Sequence, residues 1–534
     1  MKFQLTQTKV ILLISLYFLL FYNFTFYSKT LAVYPFNAEN AYSLISLTIV
    51  LFCMINLVLN VLRFKFIFKY LLYVLFFLSM TAAYVMDSFS VVIDDSMLRS
   101  ALHTDTKESM DLVNLKWATY FGLLFILPSI LLFKTKITYG SNKGEIISRL
   151  KSIALSLVVI VLMLLSAGKF YAHFFRTQKV LRYYTNPTYY LYSMGKLASS
   201  SLKPNKKEFE FIGKDAQIIE ARAERKLFIF VVGETARRDR FSLNGHTKKT
   251  NPLLEKEDAF SFQNVTSCGT STAVSVPCIF SNLGRANFVV EDASSRENLI
   301  DVLAHTKDIN ILWRDNNSSS KGVADRVKFE DYKSKTLNTK CDDVECRDIG
   351  MLVGLQDYID RTKEKNIVIV LHQMGNHGPA YYKRYPKDYE VFKPVCQTSE
   401  LSKCSNDEIG NTYDNAILYT DYFLSEVISL LKKNSEKFGT SMFYVSDHGE
   451  SLGENGVYLH GLPYMMAPKA QIEVPLIMWF GGELSKKMDY NKLKSKLNSP
   501  YSHDNLFHSI LGLFNVKTQV YDQEKDILNG VWKN

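Results

Sequence analysis

The groups able to make and break bonds gather in a few short stretches. Ser267-Cys268-Gly269-Thr270-Ser271-Thr272-Ala273-Val274-Ser275-Val276-Pro277-Cys278 sets small hydroxyl residues between two cysteines. A disulfide closing that loop would hold one hydroxyl rigidly, as a nucleophile requires. The same composition also suits an ordinary hydroxyl-rich loop. Asp447-His448, before Gly449, offers a carboxylate and an imidazole, and Glu234 offers a second carboxylate. Such an oxygen and nitrogen donor set suits Zn²⁺ with one open position. A hydroxyl placed there loses its proton far more readily than in water, so Thr272 would be able to attack a phosphorus or carbonyl centre. A helix starting at that point would add its N-terminal dipole. The bland readings are a buried hydrogen-bonded Asp-His pair and a helix cap at Glu234. His377 and His460 would contact phosphate oxygens or a second metal, although a lone loop histidine is more often solvated. Lys321 would neutralise a phosphate, although a surface lysine is usually only a solvated charge.

These stretches follow short β-type apolar runs. Leu227–Val232 precedes Gly233-Glu234-Thr235, and Ile309–Trp313 precedes Arg314-Asp315-Asn316-Asn317. Ile367–Leu371 precedes His372-Gln373-Met374-Gly375-Asn376-His377, and Met442–Val445 precedes Ser446-Asp447-His448-Gly449-Glu450. A further run is Val474–Phe480. Helical patterns lie between the runs, the best over Glu408–Lys433. Alternating strands and helices predict an α/β domain with a largely parallel sheet and flanking helices. In open sheets of this kind the site lies beyond the carboxyl ends of the strands, where all four motifs fall.

The chain has 534 residues, 47% of them apolar, and a net charge of +10. Its long uncharged runs lie in the first third: Val10–Tyr27, Ala41–Leu62, Tyr70–Met86, Trp117–Phe133 and Ser152–Gly168. Each is long enough, or nearly so, to cross a bilayer. The first lacks a small-residue cleavage site and is followed by more spans, so it reads as an anchor and not a leader. Lys2 and Lys9, then Arg63, Lys65 and Lys69, then Lys134, Lys136, Lys143, Arg149 and Lys151 mark three cytoplasmic segments. Five spans then leave the C-terminal domain outside. The basic residues sit in these short loops, with no arginine-rich arm or aromatic-basic motif, which argues against nucleic-acid binding. The Asp87–Lys116 segment reads as a surface amphipathic helix or a plain connector. We divide the chain into an α-helical membrane domain (1–168), an interfacial helix and linker (169–225) with a turn at Lys203–Lys207, and a soluble domain (226–534). Cys268 and Cys278, Cys341 and Cys346, and Cys396 and Cys404 form three close pairs, which implies three short-loop disulfides and an oxidising compartment. Cys53, inside an apolar run, reads as a core residue.

Gly233-Glu234-Thr235-Ala236-Arg237, the Cys268–Cys278 loop, Asn376-His377-Gly378-Pro379, Ser446-Asp447-His448-Gly449-Glu450 and Leu459-His460-Gly461 together resemble the phosphoethanolamine transferases. These are multi-pass inner-membrane enzymes of Gram-negative bacteria, with a periplasmic catalytic domain of the alkaline phosphatase/sulfatase superfamily. The likeness is greatest to the lipid A-modifying branch, which includes the mobile colistin resistance enzymes, and it covers essentially the whole chain. It implies Thr272 as nucleophile and metal ligand, with Glu234, Asp447 and His448 completing the zinc site. It places Asn317, Lys321, His377 and His460 around bound phosphoethanolamine, some of them near a second zinc that joins during turnover. It implies a two-step, ping-pong transfer from phosphatidylethanolamine to lipid A, both membrane lipids; we expect a monomer, although the sequence itself is silent on oligomeric state. Family members commonly carry Asn, Thr and Glu four residues apart before the fourth span; here Thr104 and Glu108 fit, but the first position is Ser100.

A sulfatase would need Cys or Ser in a C-x-P-x-R setting, which neither Cys268 nor Cys278 has. The lipoteichoic-acid synthases, which transfer glycerophosphate, share five spans and a threonine nucleophile, but the cysteine pairs argue against them. A non-catalytic anchored receptor would have no use for a carboxylate, an imidazole and a constrained hydroxyl together.

Overall fold

The computed structural model describes residues 3–103, 106–202, 208–219 and 225–533. The Lys203–Lys207 turn and Thr104 lie outside them, as does the side chain of Glu108. The chain divides into two compact units, residues 1–98 with 112–202, and residues 99–111 with 203–534. The 169–202 stretch, expected as interfacial helix and linker, belongs to the first unit. Two of its aromatic residues pack inward: Tyr184 and Tyr190 are buried, and Tyr190 Oη pairs with Ser79 Oγ at 2.8 Å.

The first unit is helical. Helices α1 (Gln7–Phe21) and α2 (Phe24–Val33) are bent by 55° where a single first span was expected. Side chains compete with the helix bonds at the break: Asn23 Nδ2 donates to Phe18 O at 3.0 Å and to Asn186 O at 2.8 Å, and Asp87 Oδ1 takes the Thr25 N–H at 3.1 Å. Next come α3 (Ala41–Val61), α4 (Phe68–Phe89), α5 (Leu115–Lys134) and α6 (Asn142–Ser166), each long and apolar enough to cross a membrane. The last begins ten residues before the expected Ser152, because Ser141 caps it by accepting Gly144 N–H at 3.2 Å. Its charged first turns read as loop in the sequence. Asn56 joins α3 to α6 by accepting from Ser152 Oγ at 3.0 Å and Ser156 Oγ at 3.3 Å, polar pairing that holds helices together where hydrocarbon offers no alternative partner. The 87–116 segment forms two short helices, Asp95–His103 and Thr106–Asp111.

The second unit is built on a seven-stranded sheet. Its strands are β1 (Lys226–Gly233), β2 (Phe260–Phe262), β3 (Ile309–Asp315), β4 (Lys328–Asp331), β5 (Asn366–His372), β6 (Gly439–Ser446) and β7 (Leu476–Gly481). Their spatial order is β2-β7-β6-β1-β5-β3-β4. The sheet is parallel except that β7 runs against both of its neighbours. β1 lies at the centre and is buried along its length. Alternate residues serve opposite cores: Phe228, Phe230 and Val232 face one apolar cluster, and Leu227, Ile229 and Val231 the other. Helix α7 (Thr272–Ile279) starts at the hydroxyl-rich loop. Helix α8 (Asn406–Asn434) opens on a capping box, Ser405 with Glu408, and ends in Lys432 and Lys433, which suit the dipole at each end.

All three expected disulfides are present. Cys268 is bonded to Cys278, Cys341 to Cys346, and Cys396 to Cys404. Each closes a loop within this second unit. Cys346 and Cys396 are buried, and Cys404 packs partly buried against the apolar cluster on the Leu227 face of the sheet. Cys53 is a buried free cysteine, as its apolar run implied.

Candidate active site

The parallel strands end side by side, so the residues just past them converge. β1 and β6 run in register from Gly439 opposite Lys226 to Ser446 opposite Gly233, which makes Glu234 and Asp447 neighbours. Ligand atoms of Glu234, Asp447 and His448 all lie within 4.8 Å of one another, and all three residues are buried. Thr272 is the first residue of α7, so its hydroxyl stands at a helix N-terminus. Thr272 Oγ1 lies 3.1 Å from Glu234 Oε2 and 3.4 Å from His448 Nε2. The neighbouring hydroxyls are engaged elsewhere: Thr270 donates to Leu462 O at 2.7 Å, and Ser275 Oγ accepts Gly269 N–H at 2.9 Å. Of these three, Thr272 alone faces the carboxylates.

The donor set fits a divalent metal. His448 Nδ1 is 2.9 Å from Gly449 O, so the proton sits there and the Nε2 lone pair faces the cluster. Burial lowers His448 to about 3, which keeps the ring neutral. Asp447 Oδ1 accepts the N–H groups of Thr235 at 3.1 Å and His448 at 2.7 Å. Its Oδ2 is buried, and no donor of hydrogen-bonding geometry reaches it among the described residues. Burial, and then the charge of Glu234, raise the Asp447 carboxyl well above its usual range. Two carboxylates beside a neutral imidazole leave negative charge that a divalent cation would neutralise.

Of the other expected residues, Asn317, His377 and His460 lie beside this centre. His460 Nδ1 pairs with Glu450 Oε1 at 3.1 Å, and its ring centroid is 4.3 Å from that of His448 and 6.0 Å from that of His377. Arg384 Nε donates to His377 O at 2.6 Å. Asn317 is turned inward: its Nδ2 donates to Glu234 Oε2 and to Gln373 O, both at 2.8 Å. Its amide therefore orients the Glu234 carboxylate. Lys321 Nζ donates to Ser318 Oγ, which donates in turn to Asn317 Oδ1 at 3.0 Å.

Several contributors escape sequence reading. His503 is wholly buried; its Nδ1 accepts Cys268 N–H at 3.1 Å and its Nε2 donates to Ser446 O at 3.0 Å. It ties the hydroxyl-rich loop to the strand that leads into Asp447. Asp348 gathers Met374 N–H at 2.9 Å and Gly375 N–H at 3.1 Å, which shapes the turn before His377. Both lie far in sequence from what they hold. Only Glu450 had a local signal, since it closes the Asp447-His448 motif.

Residues 226–516 match the family Sulfatase, and residues 51–202 match Phosphoethanolamine transferase EptA/EptB. Phosphatidylethanolamine transferase Mcr-2 of Escherichia coli is 42% identical over 505 residues, 92% of this chain and 92% of that protein. Phosphoethanolamine transferase EptA of Salmonella typhimurium is 38% identical over 538 residues, 98% of this chain and 97% of the relative. Among solved structures, the integral membrane lipooligosaccharide phosphoethanolamine transferase A (EptA) from Neisseria meningitidis superposes with a TM-score of 0.95 at 32% identity, covering 100% of both chains. The chain belongs to the phosphoethanolamine transferase family.

Proposed function

We propose that this protein transfers phosphoethanolamine from phosphatidylethanolamine to a phosphate of lipid A, at the periplasmic face of the inner membrane, with Thr272 as nucleophile. The observation that carries the reading is the half-buried Thr272 hydroxyl at a helix start, 3.1 Å from Glu234 and 3.4 Å from His448. The donor follows the name of the Mcr-2 relative. Lipid A as the acceptor molecule follows that of a Kdo(2)-lipid A phosphoethanolamine 7''-transferase of Salmonella typhimurium, 27% identical over 293 residues, and the choice of a phosphate on it is our own.

Glu234, Asp447, His448 and Thr272 would hold a zinc ion. Bound there, zinc would lower the pKa of the hydroxyl and offset charge on the phosphoryl oxygens. In this reading Thr272 Oγ attacks phosphorus, and the P–O bond to diacylglycerol breaks. Diacylglycerol leaves with the proton that the threonine gave up. An oxygen of a lipid A phosphate then attacks, the bond from phosphorus to Thr272 Oγ breaks, and the hydroxyl regains a proton. His377, His460 and Lys321 take the phosphoryl oxygens during both steps. The added ammonium group lowers the net negative charge of the outer surface, so cationic polymyxins bind it more weakly.

Mass spectrometry of lipid A from cells expressing the chain, beside a Thr272→Ala control, tests the proposal. Lipid A gaining one phosphoethanolamine only with the intact threonine is expected, together with raised polymyxin resistance. Unmodified lipid A, or modification that survives the substitution, overturns it. Phosphoethanolamine on core sugar or protein instead would name another acceptor.

A further inference from the structure

We propose that Thr235 is a positioning residue, held in a strained backbone conformation so that it aligns both metal-facing carboxylates at once. Thr235 has φ of 56° and is completely buried. That region suits glycine and tolerates asparagine, but a β-branched side chain there crowds its own backbone. A residue chosen only for the turn would be glycine, so the threonine side chain needs its own reason.

Its hydrogen bonds supply one. Thr235 Oγ1 donates to Glu234 Oε1 at 2.5 Å, while the N–H of the same residue donates to Asp447 Oδ1 at 3.1 Å. One residue thus reaches both carboxylates, one through its side chain and the other through its main chain. With Asn317 Nδ2 on Glu234 Oε2 at 2.8 Å, the Glu234 carboxylate has a donor on each oxygen, and its plane is set. The left-handed turn falls two residues past the end of β1, where the chain leaves the sheet and Thr235 stands between the two carboxylates. The surroundings maintain the strain. Tyr413 Oη donates to Thr235 O, and the following N–H groups go to Ser446 Oγ at 2.7 Å and to Tyr413 Oη at 2.9 Å.

The inference rests on the reading of Glu234, Asp447 and His448 as a zinc site. The test compares Thr235→Gly, Thr235→Ala and Thr235→Ser in the full-length protein in detergent. It reads the zinc dissociation constant by chelator competition and the unfolding midpoint of the zinc-stripped protein. Both Gly and Ala remove the hydroxyl and should weaken zinc binding by about 10- to 100-fold, as losing a group that orients metal ligands does. Ser keeps the hydroxyl and should bind within about threefold of wild type, a small change on the same scale. Strain separates Gly from Ala. Without zinc the Gly variant should melt above the Ala variant, the reverse of their usual order in regular structure.

An Ala variant that fails to fold beside a folded Gly variant supports the proposal. Gly and Ala variants that bind zinc as wild type does overturn it, as does an Ala variant that melts at or above Gly. A Ser variant that has lost zinc affinity also overturns it. Wild-type protein that binds no zinc removes the site reading itself, a result separate from unaffected variants of a zinc-binding parent.

Discussion

Thr270 and Thr272 have the same side chain two residues apart, yet their surroundings give them different work. Thr270 anchors the loop through Leu462 O, and Thr272 faces the carboxylates. His503 makes that difference possible by bridging the loop and β6, and it does so only as a neutral ring. Burial lowers it from an ordinary 6.5 to about 3. Its contribution to stability is therefore complete above about pH 6.5, and it is lost at up to about 1.4 kcal/mol per pH unit as the pH falls from there toward 3. His503→Gln keeps one donor and one acceptor but has no proton to gain. Between pH 7 and pH 5 the zinc-stripped variant should lose about 2 kcal/mol less stability than wild type in urea titrations. Parallel pH profiles would contradict this account. Gly375 is a second sensitive position. Its φ is +51°, and an added Cβ would lie 2.8 Å from Glu234 O. Gly375→Ala should therefore lower zinc affinity by about tenfold or more, as displacing ligand-orienting atoms does, which equilibrium dialysis would report.

At the scale of elements, strand ends and helix starts make the site. The strand-end motifs were legible because β1, β3, β5 and β6 are short apolar runs that end in polar residues, and parallel strands bring those ends together. The hydroxyl-rich loop was legible as a constrained nucleophile because its cysteines lie ten residues apart. His503, Asp348 and Thr235 were not legible as parts of the site. Their roles depend on contacts across the fold, or on a backbone angle that composition does not encode. The inward turn of Asn317 escaped notice for the same reason. The Cys268–Cys278 link fixes the turn that delivers Thr272 to the start of α7. Closing so short a loop is worth roughly 3 kcal/mol of chain entropy, while the sheet and its two cores supply most of the fold. Replacing both cysteines by serine should leave a folded protein with a lower melting temperature. At a temperature where it is fully folded, kcat should fall about tenfold or more, since a loosened nucleophile loses its alignment. Wild-type kcat in the folded variant would show that the link serves stability alone.

At the scale of the whole chain, the bent α1–α2 pair raises the question of how many times the first unit crosses the bilayer. Its apolar runs were legible, but the break at Asn23 was not, because the competing contacts come from Asn186 and Asp87, far along the chain. The polar contacts inside this unit give an expectation. Phe3–Thr6 pairs as a parallel strand with Thr135–Thr138. Arg63 joins the same end, donating through Nε to Gln7 at 2.9 Å and through Nη2 to Glu145 at 2.6 Å. The three basic segments therefore meet at one end of the bundle, as the excess of lysine and arginine requires of cytoplasmic segments. At the opposite end Asp87 accepts Thr25 N–H at 3.1 Å and Tyr120 Oη–H at 3.0 Å. Residues 7 and 25 thus lie at opposite ends, so the bent pair is expected to cross once. Alkaline phosphatase, which is active only after export, reads this out. Fusions after Asn37, Asp95 and Leu202 should be active, and fusions after Phe66 and Gly140 inactive. An inactive Asn37 fusion would make the pair re-entrant. An active Gly140 fusion would separate basic segments that the Arg63 contacts hold together, and the assigned orientation would fall with it.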